Sequence, residues 1–265
     1  MPESDLALLI RAARAAARIA TTYVGGALGV RYKAADGSPV TDADMAVNSA
    51  LSDILRGARP GYGWLSEESA DSDARLGAEH VFIVDPIDGT RSFIEGSDSW
   101  SHSLAIARHG QITAAVVYLP MLDRLYEADL GGGARLNGNA LRASDTGDAD
   151  SAHVLVTRPA LDPRHWAGAV PRLARHHRPS IAYRLGLVAQ GRFDAMLTLR
   201  ASWEWDIAAG ALLLSEAGAR MTDRHGAAIR FNAPEPRHDG IVAANPMLHS
   251  DLLSRLSRKP PPQGA

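Results

Sequence analysis

The 265-residue chain has no cysteine, which excludes disulfide staples and thiolate metal sites. That absence is compatible with a reducing cytoplasm, the compartment expected for this protein. An excess of charge of either sign is missing too. Lys and Arg number 28 against 30 Asp and Glu, a formal net charge of -2, so no nonspecific grip on a nucleic-acid polymer is expected. Nor is there a long apolar run: Glu3, Asp5, Arg11, Arg14 and Arg18 interrupt the N-terminal stretch, so neither a signal peptide nor a membrane span fits. A cysteine nucleophile is impossible, and neither a serine-histidine-aspartate arrangement nor a Walker glycine-rich loop stands out. Repeats and low-complexity segments are absent. What is present, 46% hydrophobic and 22% charged residues, fits a soluble globular protein able to bury a substantial core. The local cluster Arg172, Arg175, His176, His177 and Arg178 reads as a solvated face.

Apolar periodicity lays out alternating helices and strands. Leu6, Leu9, Ile10, Ala13, Ala17 and Ala20 recur at helical spacing, and Gly25-Gly26 stops that helix. Thr41 followed by Asp44 has the pattern of a capping box, opening a second helix through Leu51 and Leu55. Val81 to Val84 reads as a strand ended by Pro86. Segments 103–107 and 112–118 flank His109-Gly110 as a hairpin, with another strand at 125–128. The turn-rich stretch 144–151 divides the chain into portions 1–143 and 144–265. The second portion predicts a strand at 153–157, a helix around 183–190, a strand at 193–198, a helix at 205–217 ended by Gly218, and short strands at 219–221 and 240–243. Asn245-Pro246 caps a last helix, and Lys259-Pro260-Pro261-Pro262 predicts a frayed end.

Against this background the acids stand out. Asp85 is presented at the carboxyl end of an apolar strand, Asp88 follows three residues on, and Gly89 lets a ligand approach the backbone closely. Such a loop can hold divalent metal and phosphate together; an ordinary Asx-turn is the competing reading. Glu67, beside Glu68, has a surface acidic pair as its plain alternative, and Asp206 and Asp44 are equally explicable as first-turn helix acids. If Glu67, Asp85, Asp88 and Asp206 come together they repel one another unless cations neutralise them, and hard oxygen ligands suit magnesium or manganese.

Asp85-Pro86-Ile87-Asp88-Gly89-Thr90, continued by Arg91-Ser92-Phe93, resembles the metal motif of the inositol monophosphatase family. Trp205-Asp206-Ile207-Ala208-Ala209-Gly210 resembles that family's second motif, and Leu65-Ser66-Glu67-Glu68-Ser69 its acidic pair. The resemblance implies a layered α/β sandwich of alternating αβαβα layers with an acid-rich site between the two portions. It implies a homodimeric, often lithium-sensitive phosphomonoesterase that uses Mg2+, with Mn2+ as a substitute. By resemblance, Glu67, Asp85 and the carbonyl of Ile87 bind one ion, Asp85, Asp88 and Asp206 a second, and Glu67 a looser third. Glu67, Asp44 and Thr90 are then catalytic, with Asp44 and Thr90 paired near the attacking water. Asp88, Gly89 and Thr90 contact phosphate, and hydrolysis is direct, without a phosphoenzyme.

The released alcohol is read from weaker features. Segments 33–44, 65–68 and 93–96 look closest to the bisphosphate-nucleotidase branch, which implies removal of the 3′-phosphate of adenosine 3′,5′-bisphosphate to give AMP. Arg184 stands where that branch commonly has a lysine and, with Arg200, is a candidate substrate contact; an exposed helical arginine is the plain alternative for Arg184. Ser180-Ile181-Ala182-Tyr183 departs from the branch's usual Gly-Ser entrance, and Leu199-Arg200 lacks the glutamate common in inositol-type enzymes. Inositol 1-phosphate, histidinol phosphate and sugar phosphates are therefore alternative substrates. A non-catalytic metal- or phosphate-binding regulator is the alternative from another class.

Overall fold

A computed structural model describes residues 3–34 and 37–257. The frayed end predicted at Lys259 to Pro262 lies outside the described residues. Helix α1 (Asp5–Ala20) is capped by Ser4, whose hydroxyl accepts from the Ala7 N–H at 3.2 Å, and it buries a stripe that includes Leu8, Leu9, Ala12, Ala13 and Ala16. A short antiparallel ribbon, β1 (Arg31–Tyr32) with β2 (Pro39–Val40), leads into α2 (Asp42–Ala58). The predicted capping box between Thr41 and Asp44 opens α2.

These two helices cover one face of a seven-stranded sheet. Its strands run in spatial order β3 (Gly63–Ser66), β4 (His80–Asp88), β5 (Ser101–Arg108), β6 (Gln111–Leu119), β7 (Arg124–Asp129), β8 (Gly133–Leu136) and β9 (Asn139–Ala140). Only the β3–β4 pair is parallel; the rest form an antiparallel meander. The predicted hairpin between β5 and β6 turns on His109 and Gly110, with φ of 49° and 81°. Pro86 does not end its strand as expected. β4 continues to Asp88, and the ladder steps from Asp85↔Ser103 to Asp88↔Ser101, leaving Pro86 and Ile87 in a bulge where a missing N–H is harmless. A one-turn helix, α3 (Thr90–Ile94), follows immediately.

The second sheet is built from β10 (His153–Val156), β11 (Ala174–His176), β12 (Ala195–Thr198), β14 (Arg220–Thr222) and β16 (Ile241–Ala244), in spatial order β11-β10-β12-β16-β14. Between the sheets lie α4 (Ile181–Ala189) and α5 (Glu204–Glu216), and a ribbon of β13 (Ser202–Trp203) with β15 (Arg237–His238) flanks the start of α5. Leu185, Leu212 and Leu213 share one apolar cluster with Ile83 and Val117 of the first sheet and Met196 and Ala243 of the second. The two helices touch closely: a Cβ at Gly210 would lie 2.5 Å from the Leu185 Cβ, so only glycine fits. Helix α6 (Pro246–Arg255), capped by Asn245, closes the outer face of the second sheet with Leu248 and Leu252 against Val154, Leu197 and Val242. The sequence of layers is αβαβα, as expected. Among the described residues no helix is long and apolar enough to cross a membrane.

Candidate metal centre

The β4 bulge and the start of α5 bring three acids together. Asp85 and Asp88 come from either side of the bulge and Asp206 from the first turn of α5, and each offers a carboxylate oxygen within 4.8 Å of the others. Asp85 and Asp88 are buried, Asp206 half-buried. Burial raises the pKa of all three; for Asp85 the charges of Glu67, Asp88 and Asp206 push the same way. Asp88 is pushed up to about 6, moderated by hydrogen bonds from Ser180 and from the Ala182 and Ile181 amides. The Asp85 Oδ1 atom is buried with no hydrogen-bond partner. A buried oxygen without a donor, among converging hard carboxylates, fits a divalent cation such as Mg2+.

The second oxygen of Asp88 is committed elsewhere. Its Oδ2 accepts from the Ser180 hydroxyl at 2.6 Å and the Ala182 N–H at 2.7 Å, tying the bulge to the start of α4. The Ser180 to Tyr183 segment, which departs from the usual Gly-Ser entrance, grips Asp88. A residue without a sequence signal, His102, fixes the bulge from the other side: its Nδ1–H donates to the Pro86 carbonyl. Burial drives the His102 pKa down to about 4, so the ring is neutral.

Glu67 is not one of the three converging acids. Its Oε1 accepts from Lys33 Nζ at 2.8 Å, and the same ammonium reaches Glu68 Oε1 at 2.8 Å. Glu67 nonetheless lies near enough to raise both Asp85 and Asp206. Its side chain is 23% exposed against 6% for Glu68, so Glu67 faces the cleft and Glu68 supports it from within. Burial, with Glu67 adding, pushes Glu68 up to about 7. Burial works against the Lys33 charge as well, but the two glutamates outweigh it and its pKa rises.

Asp44 holds both of the positions that compete for it in the sequence. Oδ2 accepts from the Thr41 N–H at 2.7 Å and hydroxyl at 2.6 Å, completing the cap, while Oδ1 faces the Thr90 hydroxyl at 3.4 Å. Thr90 Oγ1 also lies 3.3 Å from the Ile87 carbonyl. Burial raises the Asp44 pKa, against the lowering effect of the Thr41 hydrogen bonds. Gly89 precedes Thr90 with φ of 99°, a left-handed conformation that brings the chain round beside Trp100.

Glu67, Gly89, Thr90, His177, Arg184 and Arg200 line a cleft of about 680 Å³. Arg184 is not an exposed helical arginine: it is 6% exposed, and its Nε donates to the Arg178 carbonyl. Its Nη2 lies 3.0 Å from His177 Nε2 and 3.2 Å from the Pro179 carbonyl. Arg200, after β12, is exposed.

A model of the inositol monophosphatase family matches residues 1–260. The chain is 38% identical over 202 residues to an inositol-1-monophosphatase of Rhizobium meliloti, covering 71% of this chain and 73% of that protein. It is 33% identical over 269 residues to a histidinol-phosphatase of Mycobacterium tuberculosis, covering 97% of this chain and 99% of the relative. Among solved structures, the Thermotoga maritima IMPase superposes with a TM-score of 0.80 at 26% identity, over 93% of this chain and 94% of the other. The extragenic suppressor protein suhB of Bartonella henselae gives 0.79 at 28% identity, over 93% and 96%.

Proposed function

We propose a substrate class and residue roles for this chain, which belongs to the inositol monophosphatase family and is a metal-dependent phosphoric monoester hydrolase. The substrate is a small phosphorylated alcohol: inositol 1-phosphate, a sugar phosphate or histidinol phosphate. Support for this range comes from the relatives, one named for inositol 1-phosphate and one for histidinol phosphate. Neither is named for a nucleotide bisphosphate, so the adenosine 3′,5′-bisphosphate reaction suggested by segments 33–44, 65–68 and 93–96 takes second place.

The observation that carries the chemistry is the trio Asp85, Asp88 and Asp206, with its unpartnered Oδ1, beside the cleft that holds Thr90. These acids, joined by Glu67 and the Ile87 carbonyl, would hold two or three Mg2+ ions. Bound there, a divalent ion supplies Lewis acidity toward phosphoryl and water oxygens. Asp44 is the proton acceptor. Its Oδ2 is saturated by the cap, its Oδ1 faces Thr90, and its raised pKa makes it a better base than an ordinary carboxylate. The Thr90 hydroxyl relays the proton of the attacking water, and the Gly89 and Thr90 amides bind phosphate oxygens. His102 and Ser180 hold the loop in place from opposite sides.

Phosphate release by the purified chain, with Mg2+ and with chelator, tests this on inositol 1-phosphate, histidinol phosphate, fructose bisphosphate and adenosine 3′,5′-bisphosphate. Chelator-sensitive release from at least one of the first three, ahead of the nucleotide, is expected. A nucleotide preference would restore the nucleotidase reading. No turnover of any ester, alongside tight metal binding, would point to the regulator.

A further inference from the structure

We propose that His153 and His176 form a two-imidazole site at the β10–β11 edge of the second sheet, and that it takes a divalent transition-metal ion of tetragonal preference, Cu2+ or Ni2+. The site shares no residue with the acid centre or its cleft and is independent of the phosphatase reading.

In sequence His176 belongs to the basic cluster that reads as a solvated face. The fold draws it out of that cluster. β11 is the edge strand, parallel to β10, in a register that pairs His153 with Ala174 and Leu155 with His176. The two histidines thus project from the same face, two positions apart along neighbouring strands. His153 Nδ1 lies 3.0 Å from His176 Nε2, and the rings are nearly parallel, 21° apart with centroids at 5.1 Å. Neighbouring groups steady both residues. Asp194 Oδ2 accepts from the His153 N–H at 2.7 Å, and the Phe193 ring packs against the His176 ring at 4.9 Å.

The separation of the nitrogens selects the metal. Two metal–nitrogen bonds of about 2.1 Å span about 3.0 Å when they meet at about 90°, and about 3.4 Å at the tetrahedral angle. The pair therefore matches adjacent corners of a square-planar or tetragonal site, the geometry of Cu2+ and Ni2+, rather than a tetrahedral Zn2+ site. Hard Mg2+ favours oxygen ligands instead. Burial, His153, Arg178 and Arg175 lower the His176 pKa and keep its ring neutral, the form that ligates. The same arginines oppose a cation, which weakens the site without removing a ligand. The competing role is a plain hydrogen bond from one imidazole to the other.

Copper titration of the whole chain in saturating Mg2+, followed by electron paramagnetic resonance, separates the two roles. Mg2+ keeps the carboxylates occupied, and Cu2+ on carboxylates alone would show no nitrogen coupling. With equimolar copper the wild type should show nitrogen superhyperfine splitting from two imidazoles. His153 is exposed and His176 half-buried, so His153→Ala and His176→Ala are expected to fold, which circular dichroism checks. Each should lose the two-nitrogen pattern and bind copper more weakly by roughly tenfold or more, since even outer-shell changes cost that much. An unchanged spectrum and affinity in either variant would overturn the site and leave the pair with its hydrogen bond alone. Wild-type copper without a two-nitrogen pattern would overturn it equally.

Discussion

Beside the cleft, Asp85 keeps a buried oxygen with no protein partner; Arg184, buried as well and lining the same cleft, has carbonyls at Nε and Nη2. One side is incomplete without an outside cation, while the other carries its own support. The contrast shows how each must be probed. Removing an acid deletes a ligand and relieves repulsion, whereas removing Arg184 also unties the Arg178 to Pro179 loop.

The largest effect is expected from Asp85→Asn. Phosphate release should fall by roughly a hundredfold or more, since outer-shell changes alone cost 10–100-fold. At neutral pH the melting temperature of the metal-free variant should rise, because burial and neighbouring acids disfavour the Asp85 charge. Near wild-type turnover would remove Asp85 from the site. Asp44→Asn comes next, with about a hundredfold loss of kcat for the missing proton acceptor. A loss of about 1 kcal/mol should accompany it from the weakened cap, read from the denaturant midpoint. Retained kcat with lowered stability would leave Asp44 with the capping role alone.

Metal and pH sharpen the contrast further. In chelator-treated protein, Asp88, with its pKa up at about 6, binds protons that the unfolded chain has already released. The stability this contributes is fully present below the ordinary carboxylate range and is lost as pH rises through about 6. Divalent ions must expel these protons, so metal affinity should fall as pH drops from 8 to 5.5. Calorimetry in buffers of different ionisation enthalpy should record proton release at the lower pH. Affinity independent of pH would contradict the assignment of these acids. Excess Mg2+ at about 100 times its dissociation constant should stabilise the fold by about 2.7 kcal/mol.

The smallest effect concerns Lys33, a protein cation that reaches the acid side through Glu67. Lys33→Met should tighten divalent-ion binding by about two- to fivefold, the scale of a partly exposed ion pair. Weaker binding in isothermal titration would mean that Lys33 organises Glu67 and does not compete with the ion.

These contrasts were unequally legible in the sequence. The Asp85 to Thr90 loop is a local pattern, a strand running into a glycine turn, and it is readable without the fold. The αβαβα layering follows from apolar periodicity and family resemblance together. Pro86 misleads because a bulge, visible only from the pairing with β5, lets the strand pass through it. Lys33 and Glu67 lie 34 residues apart, with no local pattern to link them. Arg184 reads as exposed only if α4 has a solvent face, but two sheets enclose that helix, and the carbonyls that satisfy the guanidinium belong to a loop. Asp44 presents a choice of positions in sequence, and its two oxygens occupy both: one completes the cap and the other faces Thr90.

The most direct test is equilibrium binding of Mn2+, followed by electron paramagnetic resonance, to the wild-type chain and to Asp206→Asn. Asp206 is chosen because only the fold brings α5 to the β4 bulge. Saturable binding by the wild type, weakened at least tenfold in the variant with circular dichroism unchanged, is the predicted result. Equal binding by the two proteins would show that these three acids do not form the metal centre.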